Sequence, residues 1–493
     1  MTHIGISKPA GRSNVFFRAG EIQEVIPILD KEISYPVKGA EYAQVALADK
    51  HARANMERKA RGEPLLEYPP WDGRNHFLRL STTGSYYFPY GLLPRARNLL
   101  SYFDIVTHEA IEFDESEIHG QFEWHGPDLR DYQKDALVKA YVARHGIVSL
   151  PTASGKTMIA LRLIWALGLN TVVFVHTHEL LTQWCEQVES ILMLQEDKIG
   201  YDAVRVFRRP LDKEGPSVKI AMLQTVYSGL EKDADRPAAN VVLKAKHDLL
   251  IADECHHYAA DTFYAVARDI DAKYKIGFSA TTEREDGEDM KMEAAIGPIC
   301  IKLSAEELIN AGYLARPIFE FINVPATQIR GRTFAQVYAS GVVNNEIRNK
   351  AVAARALQLA EEGRQVYIHV EHINHGKILS QLVNAPFVSS KSKHREETIS
   401  TFRKGFTRIL ISTLLGEGVD IPGISAIVMA GGRRTEIGTI QKVGRALRPD
   451  PEFPTSIIVD FADRGKYLSE HASARYQSYI KVYGEAIVHG RKT

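Results

Sequence analysis

The chain has 493 residues, 45% of them apolar, and 61 basic side chains balance 61 acidic ones. That length allows roughly two to four domains with sizeable cores, and zero net charge means that any basic surface must be local. Three cysteines without a C-x-x-C pair exclude a zinc ribbon and argue against a disulfide framework, and no apolar run reaches the ~18 residues of a membrane helix. No signal-peptide core follows the N-terminus, so a reducing cytosol is expected and a membrane partner is not.

In chain order, a Lys/Arg-bearing helical segment is expected over residues 42–61. Trp71-Asp72-Gly73-Arg74 follows, then the aromatic run Tyr86-Tyr87-Phe88-Pro89-Tyr90, with Arg79, Arg95 and Arg97 nearby. Aromatic rings beside arginines can stack bases or grip a phosphate backbone. They can equally form a small core with surface charges. The acidic stretch from Glu109 to Glu123 marks a boundary, and residues 1–120 are expected to form a small α+β domain.

From residue 121, short apolar runs alternate with helical periodicity, which reads as a parallel sheet covered on both faces. Ile147-Val148-Ser149-Leu150 reads as a buried strand, and Thr157 opens a helix with apolar residues at helical spacing. Between them LPTASGKT, Leu150 to Thr157, makes a tight loop at a helix N-terminus, where backbone N–H groups and the helix dipole favour an anion. Thr152, Ser154 and Gly155 belong to this loop. Lys156 can reach β and γ phosphates, and the Thr157 hydroxyl can ligate Mg²⁺. Leu150 replaces the first glycine of the common G-x-x-x-x-G-K-S/T pattern, and Ala153 stands where glycine is usual. A GKT at a helix start also arises by chance. The second motif narrows this: residues 248–252 are strand-like and end in Asp253-Glu254. An Asp at the C-terminal end of a strand can hold Mg²⁺ through water, and a Glu beside it can orient or deprotonate an attacking water. Further strands are expected at 171–176, 218–222 and 274–278, the last running into Ser279-Ala280-Thr281. Ligands of such sheets sit at the C-terminal strand edges, where Lys156, Asp253 and Ser279 all fall.

A second boundary lies near residues 301–316, which divides the remainder into lobes 121–304 and 305–493. Ser304-Ala305-Glu306-Glu307 reads as a helix start. Strands are expected at 318–322, 365–370, 408–412, 426–430 and 457–460. QKVGRALRP, Gln441 to Pro449, places Arg445 and Arg448 about one helical turn apart on one face. Two guanidiniums so placed suit a γ-phosphate, although a basic helix end on the surface has the same pattern. The basic patches 205–209 and 391–395 read equally as solvated faces.

As a set these stretches resemble the superfamily 2 helicases. Asp253-Glu254-Cys255-His256 is similar to that family's Mg²⁺ and water motif, and Ser279-Ala280-Thr281 to the motif that links hydrolysis to nucleic-acid movement. Residues 176–184, with Thr177, resemble a strand-binding element, and Gln224-Thr225 resembles its companion. Thr413, with Gly418 and Asp420, falls in a stretch similar to the motif ahead of the arginine motif, which Gln441, Gly444, Arg445 and Arg448 match. The segment 129–133 resembles the one that reads adenine, with Gln133 on the base edge. Arg284-Glu285-Asp286 resembles an element of the XPB-like group. Trp71 to Arg74, with Phe88, Pro89 and Gly91-Leu92-Leu93, resembles the N-terminal domain of the UvsW-like branch-migration helicases of bacteriophages.

The resemblance covers about residues 125 to 465. It implies an α/β chain of two RecA-like parallel-sheet lobes behind a small α+β DNA-binding domain. ATP and Mg²⁺ are the implied cofactors, with Thr157 and Asp253 at the metal. Lys156, Asp253, Glu254, Gln441, Arg445 and Arg448 are implied in catalysis, and His256, Ser279 and Thr281 in coupling. Trp71, Arg74, Thr177, Gln224, Thr225, Arg284 and Thr413 are implied on nucleic acid. The implied activity is ATP-dependent unwinding or branch migration of DNA in replication, recombination and repair. The implied partners are forks, Holliday junctions and R-loops, engaged by a monomer in the cytoplasm, that of the host for a phage protein. An RNA helicase or a restriction-enzyme motor subunit would share the ATPase core. A nucleic-acid binding protein with a silent core would keep the motifs without turnover.

Overall fold

The computed structural model describes residues 2–37, 40–67, 71–113, 121–210, 212, 214–230, 236–258, 260–280, 289–325, 329–414, 423–433, 443–444 and 452–488. Contacts gather Met1–Ser149 with Thr157–Ile301 in one compact unit, and Leu150–Lys156 with Lys302–Thr493 in a second. Among the described residues no helix is long and apolar enough to cross a membrane.

The first unit opens with β1 (Thr2–Lys8), β2 (Asn14–Phe17), β3 (Ser34–Pro36), β4 (Arg74–His76), β5 (Arg79–Leu80), β6 (Tyr86–Pro89) and β7 (Ile105–Ile111). Five of them form a sheet in the order β5-β6-β2-β1-β7, and β3 and β4 form a separate ribbon. Strict alternation in β1 sends Ile4 and Ile6 inward, where they meet Val15, Phe17, Phe88, Leu93, Ala96 and Leu100 in one core. The expected long helix is Ala40–Ala60, and none of its described residues is buried.

This N-terminal core is completed by Ala294, from the helix Asp289–Ile296. The Arg95 guanidinium grips Glu293 of the same helix at 3.2 and 2.9 Å, and buried Lys8 pairs with Asp271 at 2.7 Å. The boundary expected after residue 120 therefore separates two sheets of one compact unit. Sharing its core with this helix adds to the apolar area the small sheet buries.

The second sheet of this unit comprises β8 (His145–Ser149), β9 (Thr171–Val175), β10 (Gln195–Asp197), β11 (Val204–Arg208), β12 (Val218–Met222), β13 (Leu249–Ala252), β14 (Tyr274–Ser279) and β15 (Ile299–Lys302). Its order is β10-β11-β12-β9-β13-β14-β8-β15. The pairs from β12 to β8 are parallel. β9 and β13 are buried at every position, as strands covered on both faces must be.

The second unit carries β16 (Arg316–Asn323), β17 (Val366–His369), β18 (Phe387–Val388), β19 (Ile409–Ser412), β20 (Ala426–Met429) and β21 (Thr455–Ala462), in the order β16-β21-β20-β17-β19-β18. All its pairs are parallel. Ser304 starts the helix Ala305–Asn310 through a reciprocal cap with Glu307, as its sequence predicts.

Candidate functional site

β8 ends at Ser149, and the loop 150–155 leads into the helix Lys156–Leu167. Ala153 and Gly155 both take positive φ, +66° and +76°. Such turns point successive N–H groups to one side, the geometry of a phosphate cradle. At Ala153 the chain accepts left-handed backbone with a Cβ present, which a glycine would adopt without strain. Lys156 is buried at 7% exposure, and its Nζ donates to the carbonyls of Leu150 at 3.2 Å and Pro151 at 3.5 Å. Ser154 is buried, while Thr152 and Thr157 are half-buried. This donor set, positive φ beside a lysine at a helix start, fits a nucleotide's phosphates, and the Thr157 hydroxyl fits their Mg²⁺.

β13 delivers Asp253, at 4% exposure. Its Oδ2 accepts from Trp184 Nε1 at 2.8 Å, and its Oδ1 accepts from the Glu254 backbone N–H at 3.0 Å. Its own N–H donates to Phe174 O on β9. Trp184 lies on the helix His178–Leu192, which Thr177 caps by accepting from the Leu180 N–H at 3.2 Å. Thr177 thus sets this helix in place, and Trp184 orients the acid.

Glu254 sits at φ +45° and ψ +47°. A non-glycine residue is held there only when its surroundings over-determine it, and such positions cluster at functional sites. Its Oε2 lies 3.4 Å from His256 Nδ1, which is 3.0 Å from Ser279 Oγ. The predicted coupling residues His256 and Ser279 are therefore in direct contact, one after β13 and the other closing β14. Tyr258 is buried behind them, and burial raises its phenol pKa well above the ordinary value.

Other expected site residues fall elsewhere. The Gln133 side-chain oxygen accepts from the Arg130 N–H at 2.9 Å, capping the helix Asp131–Ala143. A contact with a base edge would compete with that cap. Gln224 is exposed and Thr225 half-buried on the helix Leu223–Ser228, and the half-buried Thr413 follows β19. Thr281, Arg284, Gly418, Asp420, Gln441, Arg445 and Arg448 lie outside the described residues.

Trp71 and Arg74 have partners within the fold. The Arg74 guanidinium donates to Ser34 Oγ at 2.8 Å, Ser34 O at 2.6 Å and Lys31 O at 3.2 Å, and Trp71 Nε1 donates to Arg74 O at 2.7 Å. Gly73 turns at φ +81° between them. The tetrapeptide staples β4 to β3. These hydrogen bonds position the half-buried Arg74 guanidinium on neutral oxygens of Lys31 and Ser34.

The sequence matches the family described as Type III restriction enzyme, res subunit, over residues 126–284, and the one described as Helicase conserved C-terminal domain over residues 349–450. Rad25 proteins of Halobacterium salinarum and Haloarcula marismortui are 30% and 28% identical over 360 and 361 residues, 71% and 70% of this chain. The chain spans 56% and 53% of their length, about half of these relatives. The ATP-dependent DNA helicase uvsW of Enterobacteria phage T4 is 22% identical over 481 residues, 85% of this chain and 90% of that protein. The chain belongs to superfamily 2 of the helicases. Its two parallel sheets are the RecA-like lobes of that superfamily. A DNA-bound Type ISP restriction-modification enzyme, LlaBIII, shares the fold, with a TM-score of 0.51, 15% identity and coverage of 72% of this chain and 30% of that one.

In this superfamily 2 chain the sequence reading missed what anchors the second lobe. Arg348 is fully buried and donates to Asp463 Oδ1 at 2.7 Å and Oδ2 at 3.1 Å, to Ala430 O at 2.7 Å and to Gly431 O at 3.2 Å. Arg348 and Asp463 stand 115 residues apart, so no local pattern could have paired them. Asn349, which follows Arg348, meets His375 Nε2 of the helix Ile373–Val383 through its Oδ1 at 2.9 Å. Burial, with Arg348 nearby, pushes the His375 pKa down to about 3.

Proposed function

We propose that this chain is an ATP- and Mg²⁺-dependent DNA translocase that unwinds or branch-migrates forked and junction DNA. The observation that carries the reading is the chain of contacts Trp184–Asp253 and Glu254–His256–Ser279 at the ends of adjacent strands. Lys156 and the N–H groups of loop 150–155 bind the phosphates. Thr157 and Asp253 would hold Mg²⁺, which would supply positive charge against the phosphate oxygens. Glu254 orients the attacking water and takes its proton. His256 touches both Glu254 and Ser279, so a change in the Glu254 carboxylate is felt at the end of β14. Gln441, Arg445 and Arg448 act in the same reaction by their motif. Relatives named as 3'-5' DNA helicases and translocases support DNA as the track and that polarity.

ATPase rates measured with single-stranded, duplex, forked, four-way-junction and RNA ligands test the proposal. DNA should stimulate turnover, branched DNA most. Stimulation by RNA alone, or by no ligand, would overturn it. A restriction-enzyme motor is the second reading, favoured by the match over residues 126–284. It predicts translocation on plain duplex with no preference for branches.

A further inference from the structure

The two helices Ile26–Glu32 and Leu93–Tyr102 contribute core residues to one face of the N-terminal sheet: Leu29, Leu93, Ala96 and Leu100 pack with Ile4 and Ile6. The alternate positions of the strands form the opposite face. Cross-strand register sets Ser7 against Phe16, Phe16 against Tyr87, and Tyr87 against Arg79, one row across four strands. The Phe16 and Tyr87 rings lie 5.5 Å apart at 30°, and the Arg12 guanidinium stands over Phe16 at 5.6 Å. Beside this pair the strand surface is low: Gly5 and Ser7 are exposed, and a side chain added at Gly5 would meet nothing within 4 Å. A groove of about 330 Å³ runs here, lined by Gly5, Ser7, Phe16, Arg18 and Ser85.

The strand positions of this face carry charge of one sign, and Asp271, which accepts from the Gly11 N–H beside Arg12, is paired with Lys8. Arg12, Arg18 and Arg79 are exposed, and none of them makes an ion pair among the described residues. No Asp or Glu occupies an open-face position of the five strands. Glu109 of β7 pairs in register with core-facing Ile6 and is held by Arg97 on the covered side.

We propose that this open face binds one single strand of DNA, stacking bases on Phe16 and Tyr87 and meeting phosphates with Arg12, Arg18 and Arg79. The inference rests on the reading of the chain as a DNA motor and moves its N-terminal contact away from Trp71 and Arg74. Ring faces accept any unpaired base, and arginines beside them track the backbone, so recognition is tolerant of sequence. Bases within a duplex are already stacked and cannot use the rings. The surface therefore suits the exposed strand of a fork.

The test uses the full chain and a labelled oligothymidylate, a blunt duplex and a fork with a single-stranded arm. Replacing both Phe16→Ala and Tyr87→Ala should weaken binding of the oligothymidylate and the fork by about 10- to 100-fold and of the blunt duplex by less than about twofold. Arg12→Gln with Arg18→Gln and Arg79→Gln should lower the slope of log affinity against log salt by about 2 on the single strand. Basal ATPase should persist in both variants, since none of these side chains is in the ATPase site. Aromatic-variant binding within about twofold of the parent on single strands, or an equal loss on duplex, would overturn the proposal. Should that variant melt earlier than the parent, photocross-linking of an iodouracil oligonucleotide to the unaltered chain decides. Adducts on Phe16 or Tyr87 support the surface, and adducts confined to other regions overturn it. If no DNA stimulates the ATPase of the unaltered chain, the motor reading fails; the surface is judged separately, by the binding ratio.

Discussion

The C-terminal edges of the two parallel sheets are built on different principles. In the first unit, the Asp253 carboxylate is oriented by neutral donors, the Trp184 indole and the Glu254 backbone N–H, and Glu254 beside it keeps 23% side-chain exposure. In the second unit, Arg348 and Asp463 cancel each other's charge at 0% and 2% exposure and tie the ends of β20 and β21 to the helix Glu346–Glu361. Neutral donors position a carboxylate without neutralising it, whereas a buried ion pair fixes geometry and removes charge from play. The same architecture thus serves chemistry at one edge and anchoring at the other.

The largest effect expected from breaking this contrast is at Glu254. Glu254→Gln keeps the shape and removes the base, so kcat should fall about 10²- to 10⁴-fold with ATP affinity retained. Steady-state turnover and binding of a fluorescent nucleotide check this, and loss of nucleotide binding would make the first edge structural as well. At the second edge, Arg348→Met leaves Asp463 buried without its partner and should cost about 3–5 kcal/mol in denaturant unfolding. Adding Asp463→Leu should recover much of that loss, because an apolar pair of similar volume has no charge to desolvate.

A smaller effect is expected at Trp184. Trp184→Phe fills most of the space but drops the hydrogen bond to Asp253, so kcat should fall about tenfold while the thermal midpoint moves little. A destabilised fold with normal kcat would show that the indole packs and does not orient. The mildest test is pH. His375 is held neutral in the folded second unit, with its pKa down at about 3 against an ordinary 6.5. The unfolded chain therefore binds the extra proton between those values. The contribution is fully present above pH 6.5 and is lost as pH falls toward 3. His375→Gln should flatten that limb in unfolding experiments run across this window, and an unchanged limb would place the acid sensitivity elsewhere.

Several of these elements can be read without coordinates. Residues 218–222 are a strand in both accounts, and the capping pair Ser304–Glu307 is where its pattern puts it. The loop from Leu150 to Thr157, the acidic pair and Ser279 all reach strand ends, because a buried parallel strand is a short apolar run and its end is where polar residues resume. Trp71 and Arg74 show what composition leaves open. An arginine beside a tryptophan has the composition of a nucleic-acid contact, but composition does not say whether a guanidinium meets a phosphate or the carbonyl of Ser34. Tyr87 and Arg79 could be read from the sequence as candidates to stack bases, but their alignment with Phe16 exists only once β2 pairs with β6 in one register.

Local sequence by itself determined most strands of the two parallel sheets, the phosphate-loop and acidic motifs and the Ser304–Glu307 cap, since each depends on periodicity or on hydrogen bonds between near neighbours. Tertiary structure alone decided that Trp184 serves Asp253, that His256 bridges Glu254 and Ser279, that Arg348 finds Asp463, and that the N-terminal sheet shares its core with the helix Asp289–Ile296. A buried polar group must find a partner, and which partner it finds is set by how distant segments pack, which chain order does not encode locally.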